Sequence, residues 1–315
     1  MNTAKIITPI TVSVLFSLGL VILGAPTNAQ QLDQPDLIQS FPVGDAPVGL
    51  VSDGENIWVA NYNDNNVMKL RASDGVVLGT FPVKTGPGRL AFDGASIWVA
   101  CAVGTVTKLR ASDGTVEDNV PVGRDPEFIT FDGANMWVTN TTDDTVTKIR
   151  ATDDTVLGTF PVGMDPRGIL FDGTDIWVAN SSENNVSKLR VSDGAPLGRV
   201  HVGAFPFAFT FDGAKVWVSN DGDGTLTAIR PSDGKIQGTF PTCYGPGELA
   251  FDGTNIWTAC VGDETLVGVK ARNGVFVHKY DLGFLPFGSV LFDGTSLWVA
   301  NPTGNAVTKI TPRSP

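Results

Sequence analysis

Seven tryptophans recur along the chain at intervals of 39 to 41 residues: Trp58, Trp98, Trp137, Trp177, Trp217, Trp257 and Trp298. Each one follows an Asp-Gly pair, as Trp177 follows Asp172-Gly173, and most precede a Val-x-Lys-Leu-Arg-like segment. Similarity at a fixed period of this length indicates a supersecondary unit that buries its apolar faces against copies of itself. The chain therefore contains seven copies of one unit.

Each copy contains four short apolar segments separated by turn residues. In one register these are Gly168–Phe171 (strand A), Ile176–Ala179 (strand B) and Val186–Arg190 (strand C), with Thr159–Val162 typical of strand D. Asp-Gly between β-rich segments predicts a hairpin, because glycine accepts the positive φ of the turn. Helical apolar spacing is missing beyond the first residues of the chain. The sequence predicts an all-β protein.

Strands A and B are apolar on both faces, so each must be covered on both sides. A ring of radially packed sheets provides this cover, whereas an open sandwich leaves one face in water. Proline cannot donate to a central ladder and therefore marks strand D as the outer edge. It recurs there at Pro42, Pro82, Pro121, Pro161 and Pro241. The pattern predicts a β-propeller.

The two ends of the repeat region are complementary. The last copy stops after its strand C, Val307–Ile310, and lacks a strand D, while a strand D without A, B or C lies near residues 37–43. We expect the N-terminal strand to close the last blade. The prediction is a single seven-bladed β-propeller over residues 37–315, with four antiparallel strands per blade and a short linker at 30–36.

Residues 1–29 differ in kind from the repeats. Lys5 precedes an apolar run from Ile6 to Leu23, and Thr27 and Ala29 occupy the −3 and −1 positions of a cleavage site. This layout predicts a secretory signal peptide and export to the periplasm or the cell exterior. The alternative is an uncleaved anchor, since 18 apolar residues approach the minimum for a span. No later segment is apolar enough to cross a bilayer.

The charge balance restricts the partners. The net charge is −11 and becomes −12 when Lys5 is removed. An acidic chain without basic runs is repelled by phosphate backbones, so we expect no nucleic-acid partner. Neither a Walker loop nor a dinucleotide fingerprint occurs. We expect a monomer that binds an unknown protein, glycan or small molecule and has no cofactor, with a divalent cation as the alternative.

The repeat resembles that of the YVTN-type β-propeller family. Met136-Trp137-Val138-Thr139-Asn140 and its equivalents carry Trp where that family usually has Tyr, and the Gly-x-x-Pro opening, Asp-Gly turn and closing Pro-Val-Gly also match. The similarity covers about residues 37–311. It implies a fold related to those of streptogramin-lyase-like and NHL-like propellers. These propellers serve many roles, and a fold does not fix a function.

The residues that vary most between copies follow the proline of each D–A loop. With strand A innermost, these positions lie at the mouth of the central channel, on the face that carries the D–A and B–C loops. Charged and aromatic side chains there predict a polar-aromatic ligand pocket. The candidates are Arg89, Glu127, Arg167, Phe207, Glu248 and Phe287. The alternative for Glu127 and Arg167 is an internal ion pair.

Strand B ends in asparagine in five copies, of which Asn140, Asn180 and Asn220 are further candidates for binding a cation or a sugar hydroxyl. The alternative is that each amide caps its own loop by bonding to the backbone. The acidic loop Asn220–Thr225 suggests calcium, but the glutamate of an EF-hand is missing at the twelfth position, where Ser232 stands. A tight polar turn is the alternative there.

The three cysteines leave at least one unpaired. Cys101 and Cys260 are equivalent in well-separated blades, too far apart for a disulfide. If Phe251 faces Ile256, then Gly247 faces Cys260, with Cys243 four residues upstream on the same loop face. A Cys243–Cys260 disulfide is one prediction, and unpaired thiols are the other. The spacing of the cysteines does not suggest a metal site.

Both histidines, His201 and His278, map to outer strands, away from the channel, and no nucleophile elbow occurs. Streptogramin lyases are thought to use a histidine near the channel mouth, so the resemblance does not extend to that residue. We expect a non-catalytic binding or scaffold protein. One alternative is a metal-assisted lyase or lactonase using Glu127, Glu248 and the asparagines. The other is a structural component of an envelope or matrix.

Overall fold

The computed structural model describes residues 36–312. The predicted signal peptide, linker residues 30–35 and residues 313–315 lie outside this range. Within it, 28 strands and two single-turn 3₁₀ helices, Thr141–Asp143 and Ser181–Glu183, make up the regular structure. The same range contains no helix long and apolar enough to cross a membrane.

The strands are six residues long in most cases, and each group of four forms one blade. In chain order they are β1 Leu37–Pro42; β2 Pro47–Ser52, β3 Asn56–Asn61, β4 Asn66–Arg71, β5 Val77–Pro82; β6 Pro87–Phe92, β7 Ser96–Cys101, β8 Thr105–Arg110, β9 Val116–Pro121; β10 Pro126–Phe131, β11 Asn135–Asn140, β12 Thr145–Arg150, β13 Val156–Pro161; β14 Pro166–Phe171, β15 Asp175–Asn180, β16 Asn185–Arg190, β17 Pro196–His201; β18 Pro206–Phe211, β19 Val216–Asn220, β20 Thr225–Ile229, β21 Ile236–Pro241; β22 Pro246–Phe251, β23 Asn255–Cys260, β24 Thr265–Lys270, β25 Phe276–Asp281; β26 Val290–Phe292, β27 Leu297–Asn301 and β28 Ala306–Thr311.

The strands form seven separate antiparallel sheets of four strands each. Blade 1 has the order β2-β3-β4-β5, and blades 2 to 6 repeat it. The first strands of neighbouring blades contact one another, so strand A is innermost and strand D is the outer edge. The D–A and B–C loops consequently lie on one face, here called the loop face. The predicted seven-bladed propeller is confirmed.

The N-terminal strand closes the ring, as the phase of the repeats predicts. Blade 7 has the order β1-β28-β27-β26, and β1 pairs with β28 in register from Leu37 opposite Thr311 to Pro42 opposite Ala306. The Phe41 ring lies 5.7 Å from that of Trp298. Phe81 occupies the same position against Trp58 in blade 1, at 5.5 Å. The closing strand thus makes the contact that an ordinary strand D makes.

The core lies between blades rather than within them. Six of the seven tryptophans are fully buried and Trp257 is 4% exposed. Trp98 of blade 2, for instance, packs in one cluster with Met136 and Ile149 of blade 3. Each junction therefore buries apolar residues of both neighbouring blades, which explains why strands A and B are apolar on both faces.

A lysine on strand C joins most blades to the next. Lys69 Nζ donates to the Ala111 carbonyl at 2.8 Å, and Lys309 donates to Ala72 across the closing junction at 2.6 Å. In blade 5 the strand C position holds Ala228, and Lys215 of the A–B turn donates to Ala271 instead. The bond between blades is kept although the residue that makes it has moved.

The pairing of strands A and B contains one shift that the sequence did not predict. In blade 6 Phe251 faces Ile256 as expected, but the register shifts between Pro246 and Leu249, so Pro246 rather than Gly247 faces Cys260. The same irregularity follows the loop proline in blades 1 to 5. An extra residue in one strand bends it, here where strand A reaches the channel mouth.

Candidate functional site

The charged candidates at the channel mouth pair with each other. Arg89 Nε of blade 2 donates to Glu248 Oε1 of blade 6 at 2.5 Å, across the ring, and each side chain is 12% exposed. The Arg89 guanidinium also lies 4.7 Å from the Phe128 ring and 6.0 Å from the Phe207 ring. Guanidinium groups are attracted to aromatic faces at these distances. Arg89 is therefore paired with a carboxylate and packed against two rings of this chain.

The second pair joins neighbouring blades at the same register. Arg167 Nη1 donates to Glu127 Oε2 at 2.8 Å, and Arg167 Nε donates to Asp165 at 3.0 Å. Burial alone would lower the pKa of Arg167, but these two carboxylates outweigh burial and raise it. Arg167 therefore remains charged and paired with Glu127. The structure has the internal ion pair that was the alternative for Glu127 and Arg167.

A cavity of only about 120 Å³ lies at the Arg89–Glu248 pair, lined chiefly by the inner strands, including Leu90, Ile129 and Ile169. The pair and the rings of Phe128 and Phe207, which meet edge to face at 5.5 Å, occupy the centre of the mouth. The centre of the propeller is thus closed by side chains, and a ligand on the loop face has to bind off-centre.

The asparagine candidates are buried within their blades. Asn140, Asn180 and Asn220 are each fully buried. Asn140 Oδ1 accepts from the Gly123 backbone N–H at 3.0 Å, and its Nδ2 donates to Thr145 and Thr147. Asn180 and Asn220 bond in the same way to Gly163 and Gly203. The amides hold the D–A loop against strand B, and we leave them out of the candidate site.

A larger pocket of about 450 Å³ opens on the loop face between blades 5, 6 and 7. Four aromatic side chains line it, together with two carboxylates and several glycines. We call it the aromatic pocket; its lining residues are Phe205, Phe207, Asp221, Gly222, Tyr244, Gly245, Gly247, Glu248, Val261, Gly262, Pro286, Phe287 and Gly288. Of the sequence candidates, Phe207, Glu248 and Phe287 belong to it.

Three of the four aromatic rings of this pocket are unusually exposed. Tyr244 is 74% exposed, Phe205 56% and Phe287 55%. Each comes from a different D–A loop, so the three rings meet only because blades 5, 6 and 7 are neighbours. Monomeric proteins rarely gather large exposed apolar groups in one place unless something binds there.

Phe205 adopts a backbone conformation that aromatic residues avoid. Its φ is 51°, in the left-handed region. The equivalent loop positions in blades 1 to 4 and 6 also have positive φ and hold small or short polar residues, Ala46, Gly86, Asp125, Asp165 and Gly245. A phenylalanine costs more in this conformation than those residues do, and such strain is concentrated at functional sites.

Two glycines make room for the exposed rings. A Cβ on Gly262 would lie 1.9 Å from Tyr244 Cδ1, and one on Gly222 would lie 2.6 Å from Phe205 Cδ2. Neither glycine has a positive φ, so the backbone does not require them. Ser182 of blade 4 occupies the equivalent B–C loop position. The absence of a side chain at these two glycines leaves the space in which the rings lie.

Asp221 is the one acidic side chain of the pocket that nothing neutralises. Its carboxylate has no hydrogen bond or ion pair with any residue between 36 and 312, and desolvation raises its pKa. Asp223, two residues on, accepts the Ala204 backbone N–H at 2.6 Å and forms the polar turn that was the alternative to calcium. Within the described range no three His, Cys, Asp or Glu side chains are arranged to hold a metal.

A disulfide braces the wall of the pocket. Cys243 and Cys260 are bonded, with Cα atoms 5.9 Å apart. Cys243 precedes Tyr244, and Cys260 precedes the Val261-Gly262 loop over which that tyrosine lies. Blades 3 to 5 hold the D–A loop against strand B with the glycine–asparagine bond described above, so blade 6 replaces a hydrogen bond with a covalent one. Cys101 is buried and unpaired, and burial raises its pKa.

Sequence reasoning missed Phe205, Asp221 and Tyr244. The candidates were chosen because they depart from the repeat. The same criterion would have found these three residues if it had also been applied to the two loop positions before the proline and to the residue after strand B. His201 and His278 lie exposed on outer strands β17 and β25, as the sequence predicted.

Comparisons with solved structures show the same fold. A streptogramin B lyase is 20% identical with a TM-score of 0.75, and the match covers 88% of this chain and 98% of that one. Virginiamycin B lyase from Staphylococcus aureus is 18% identical, with a TM-score of 0.76 and coverages of 88% and 99%. Hydrazine synthase of Kuenenia stuttgartiensis is 19% identical, with a TM-score of 0.76 and coverages of 85% and 96%.

At these identities the likeness concerns the fold alone. No family model matches the chain, and no curated protein matches it in sequence. The resemblance of its repeats to the YVTN type therefore stays a prediction.

Proposed function

We propose that this protein is a non-catalytic binding propeller that takes a small organic ligand in the aromatic pocket. The observation that carries the proposal is the meeting of three exposed rings, Phe205, Tyr244 and Phe287, around one cavity. A cavity of about 450 Å³ lies within the usual range for small-molecule sites, which are mostly apolar with a few polar groups. Covering these rings with a ligand removes apolar surface from water.

The alternative of a metal-assisted lyase has less support. Glu127 and Glu248, which would serve as its ligands, are each bonded to an arginine. The solved neighbours include a catalytically inactive variant of the Staphylococcus aureus lyase in which a histidine is replaced, bound to quinupristin. Here His201 and His278 lie on outer strands. We therefore propose no catalytic group at the aromatic pocket.

We also propose that the protein is exported and acts as a monomer in the periplasm or outside the cell. The signal-peptide pattern of residues 1–29 supports export, and the Cys243–Cys260 bond suits an oxidising compartment. Outer strands that end in proline resist edge-to-edge pairing. The charge of −12 after cleavage of the leader argues against a nucleic-acid partner.

The binding function is tested with 2-phenylethanol, a neutral aromatic probe, by saturation-transfer NMR on the mature protein. We expect transfer from the wild type and its loss in the double variant Phe205→Ala/Tyr244→Ala, because two walls of the cavity are removed. Tyr62→Ala is the matched control: Tyr62 is 45% exposed on the loop face in blade 1 and should not matter. No transfer from the wild type, or equal transfer from the double variant, would overturn the proposal.

The positioning of Tyr244 is tested by Gly262→Ala. The new Cβ needs the space of the tyrosine ring, so the ring must move and the probe should bind at least about tenfold more weakly, a difference of about 1.4 kcal/mol. The melting temperature should change little, since the loop is exposed. Unchanged binding in Gly262→Ala would show that the ring position does not matter to the ligand.

A further inference from the structure

We infer that the ligand of the aromatic pocket is an organic cation, a protonated or quaternary amine carried on an apolar group. This inference rests on the proposed binding function and names the ligand class. The pocket lining contains two carboxylates, Asp221 and Glu248, and no lysine, arginine or histidine. Because Arg89 neutralises Glu248, the free charge of the pocket is the single negative charge of Asp221.

Asp221 has no structural role that would explain it. The residue after strand B is uncharged in the other six blades: Tyr62, Ala102, Thr141, Ser181, Val261 and Pro302. Where this residue does hold the structure together, as at Ser181, its hydroxyl bonds to the next D–A loop. The Asp221 carboxylate makes no such bond: the residue is exposed beside the pocket, partial desolvation raises its pKa, and no residue between 36 and 312 compensates its charge.

The exposed rings supply the second part of a cation site. The faces of Phe and Tyr carry negative partial charge and attract ammonium groups within about 6 Å of the ring centre. Phe205, Tyr244 and Phe287 have ring surface available to a ligand, and Asp221 lies beside them in the same lining. Rings and carboxylate together favour positive charge, and the size of the cavity leaves room for an apolar body.

Other ligand classes fit less well. An anion would meet Asp221 and find no positive group in the lining. A sugar needs several hydrogen-bond partners, since each buried hydroxyl left without one costs free energy. Asp221 and the Tyr244 hydroxyl are the polar side-chain groups of this lining that are available to a ligand. Glu248 is already paired with Arg89, and the other lining residues are apolar or are glycines without a side chain.

The experiment compares three probes that share a phenyl group and differ in charge: 2-phenylethylammonium, 2-phenylethanol and phenylacetate. Isothermal titration calorimetry on the mature protein should give an affinity for the cation at least about tenfold above that for the alcohol, and the weakest binding for phenylacetate. The affinity for the cation should fall on acidification as Asp221 is protonated, while that for the alcohol stays constant.

Asp221→Asn should reduce the affinity for 2-phenylethylammonium to that for 2-phenylethanol and leave the alcohol unaffected. Glu55→Gln is the matched control, because Glu55 is exposed in an A–B turn on the opposite face and changes the net charge equally. A cation preference that survives Asp221→Asn, or that is lost equally in Glu55→Gln, would overturn the assignment to Asp221.

The two proposals fail in distinguishable ways. If the alcohol and the cation bind equally well and both are lost in Phe205→Ala/Tyr244→Ala, the pocket binds ligands but the cation inference is wrong. If none of the three probes binds, the binding function itself fails. A preference for the cation that is lost in both Asp221→Asn and the aromatic double variant supports both.

Discussion

At the residue scale, the same aspartate–tryptophan bond recurs in every blade. The indole N–H of Trp58 donates to Asp53 Oδ2 at 2.8 Å, and the six equivalent bonds measure 2.6 to 2.8 Å. The carboxylate also accepts the backbone N–H groups of Glu55 and Asn56, two and three residues on. One aspartate thus shapes the A–B turn and satisfies the only polar atom of a buried indole side chain.

These bonds should make the fold sensitive to acid. Desolvation alone would raise the pKa of Asp53, but hydrogen bonds from Trp58, Asn56 and the backbone outweigh it and lower the pKa. The same holds for Asp132, Asp252 and Asp293. Because the folded pKa lies below the unfolded one, this stability is present above the ordinary pKa of 3.8 and is lost as the pH falls through the folded value.

Asp53→Asn tests this role. It should lower the free energy of unfolding by about 1–3 kcal/mol at neutral pH, because a charged acceptor of several N–H groups is lost. Urea unfolding from about pH 7 to about pH 2 should show the deficit shrinking in acid, as the wild-type carboxylate is protonated. Glu55→Gln in the same turn should have no such effect. A deficit independent of pH would show that the charge of Asp53 is not what stabilises the turn.

At the element scale, the D–A loops of blades 3 to 6 are held against strand B in two ways. In blades 3 to 5 the loop glycine donates to the strand B asparagine, and a Cβ on Gly123 would lie 2.5 Å from Asn140 Cγ. In blade 6 both residues are cysteine and form a disulfide. The space between the D–A loop and strand B therefore accepts a glycine facing an asparagine, or two bonded cysteines. A cysteine in place of Gly123 would not fit, because its Cβ would collide with Asn140.

Removing the disulfide should destabilise blade 6. For a sequence separation of 17, the loss of loop-closure restraint in Cys243→Ala/Cys260→Ala amounts to about 3 kcal/mol at most. The variant Cys243→Gly/Cys260→Asn is the matched control, because it restores the pair of blades 3 to 5 and should recover about 1 kcal/mol. Urea unfolding without reductant measures both. Equal urea midpoints for the two double variants would show that the glycine–asparagine hydrogen bond cannot take over part of the role of the disulfide.

At the scale of the whole molecule, stability depends on closing the ring. Each blade shares its apolar faces with two neighbours, and the junction between blades 7 and 1 is completed by β1, which comes from the other end of the chain. Lys309 and the pair Phe41–Trp298 add contacts there. A ring has no end blade to cap, so loss of the closing strand exposes one outer edge and leaves the other blades with their neighbours.

Deleting Leu37–Pro42 should open blade 7 first. Amide exchange of β28, Ala306–Thr311, should rise steeply because its whole outer ladder is lost, while the inner strands of blades 2 to 4 remain protected. Phe41→Ala is the milder variant and should accelerate exchange in the same strand to a smaller extent, since it keeps the ladder and removes one ring from Trp298. Exchange of β28 unchanged in both variants would contradict closure by β1.

The sequence by itself determined the number of blades, the four strands of each, the outer position of strand D and the closure by residues near 37–43. These follow from patterns within one repeat, because a tryptophan, an Asp-Gly turn or an edge proline reports the environment of its own strand. Its departures from the repeat also placed Phe207, Glu248 and Phe287 at the loop face.

Only the tertiary structure decided which departures meet. Arg89 and Glu248 are 159 residues apart and pair across the channel, and Phe205, Asp221, Tyr244 and Phe287 come from three blades and form one pocket. The shift after the loop proline also changes what faces Cys260. The curvature of the ring and the backbone of the loops determine which of the side chains that depart from the repeat come into contact. Neither the curvature nor the loop backbone can be read from the pattern within a single blade.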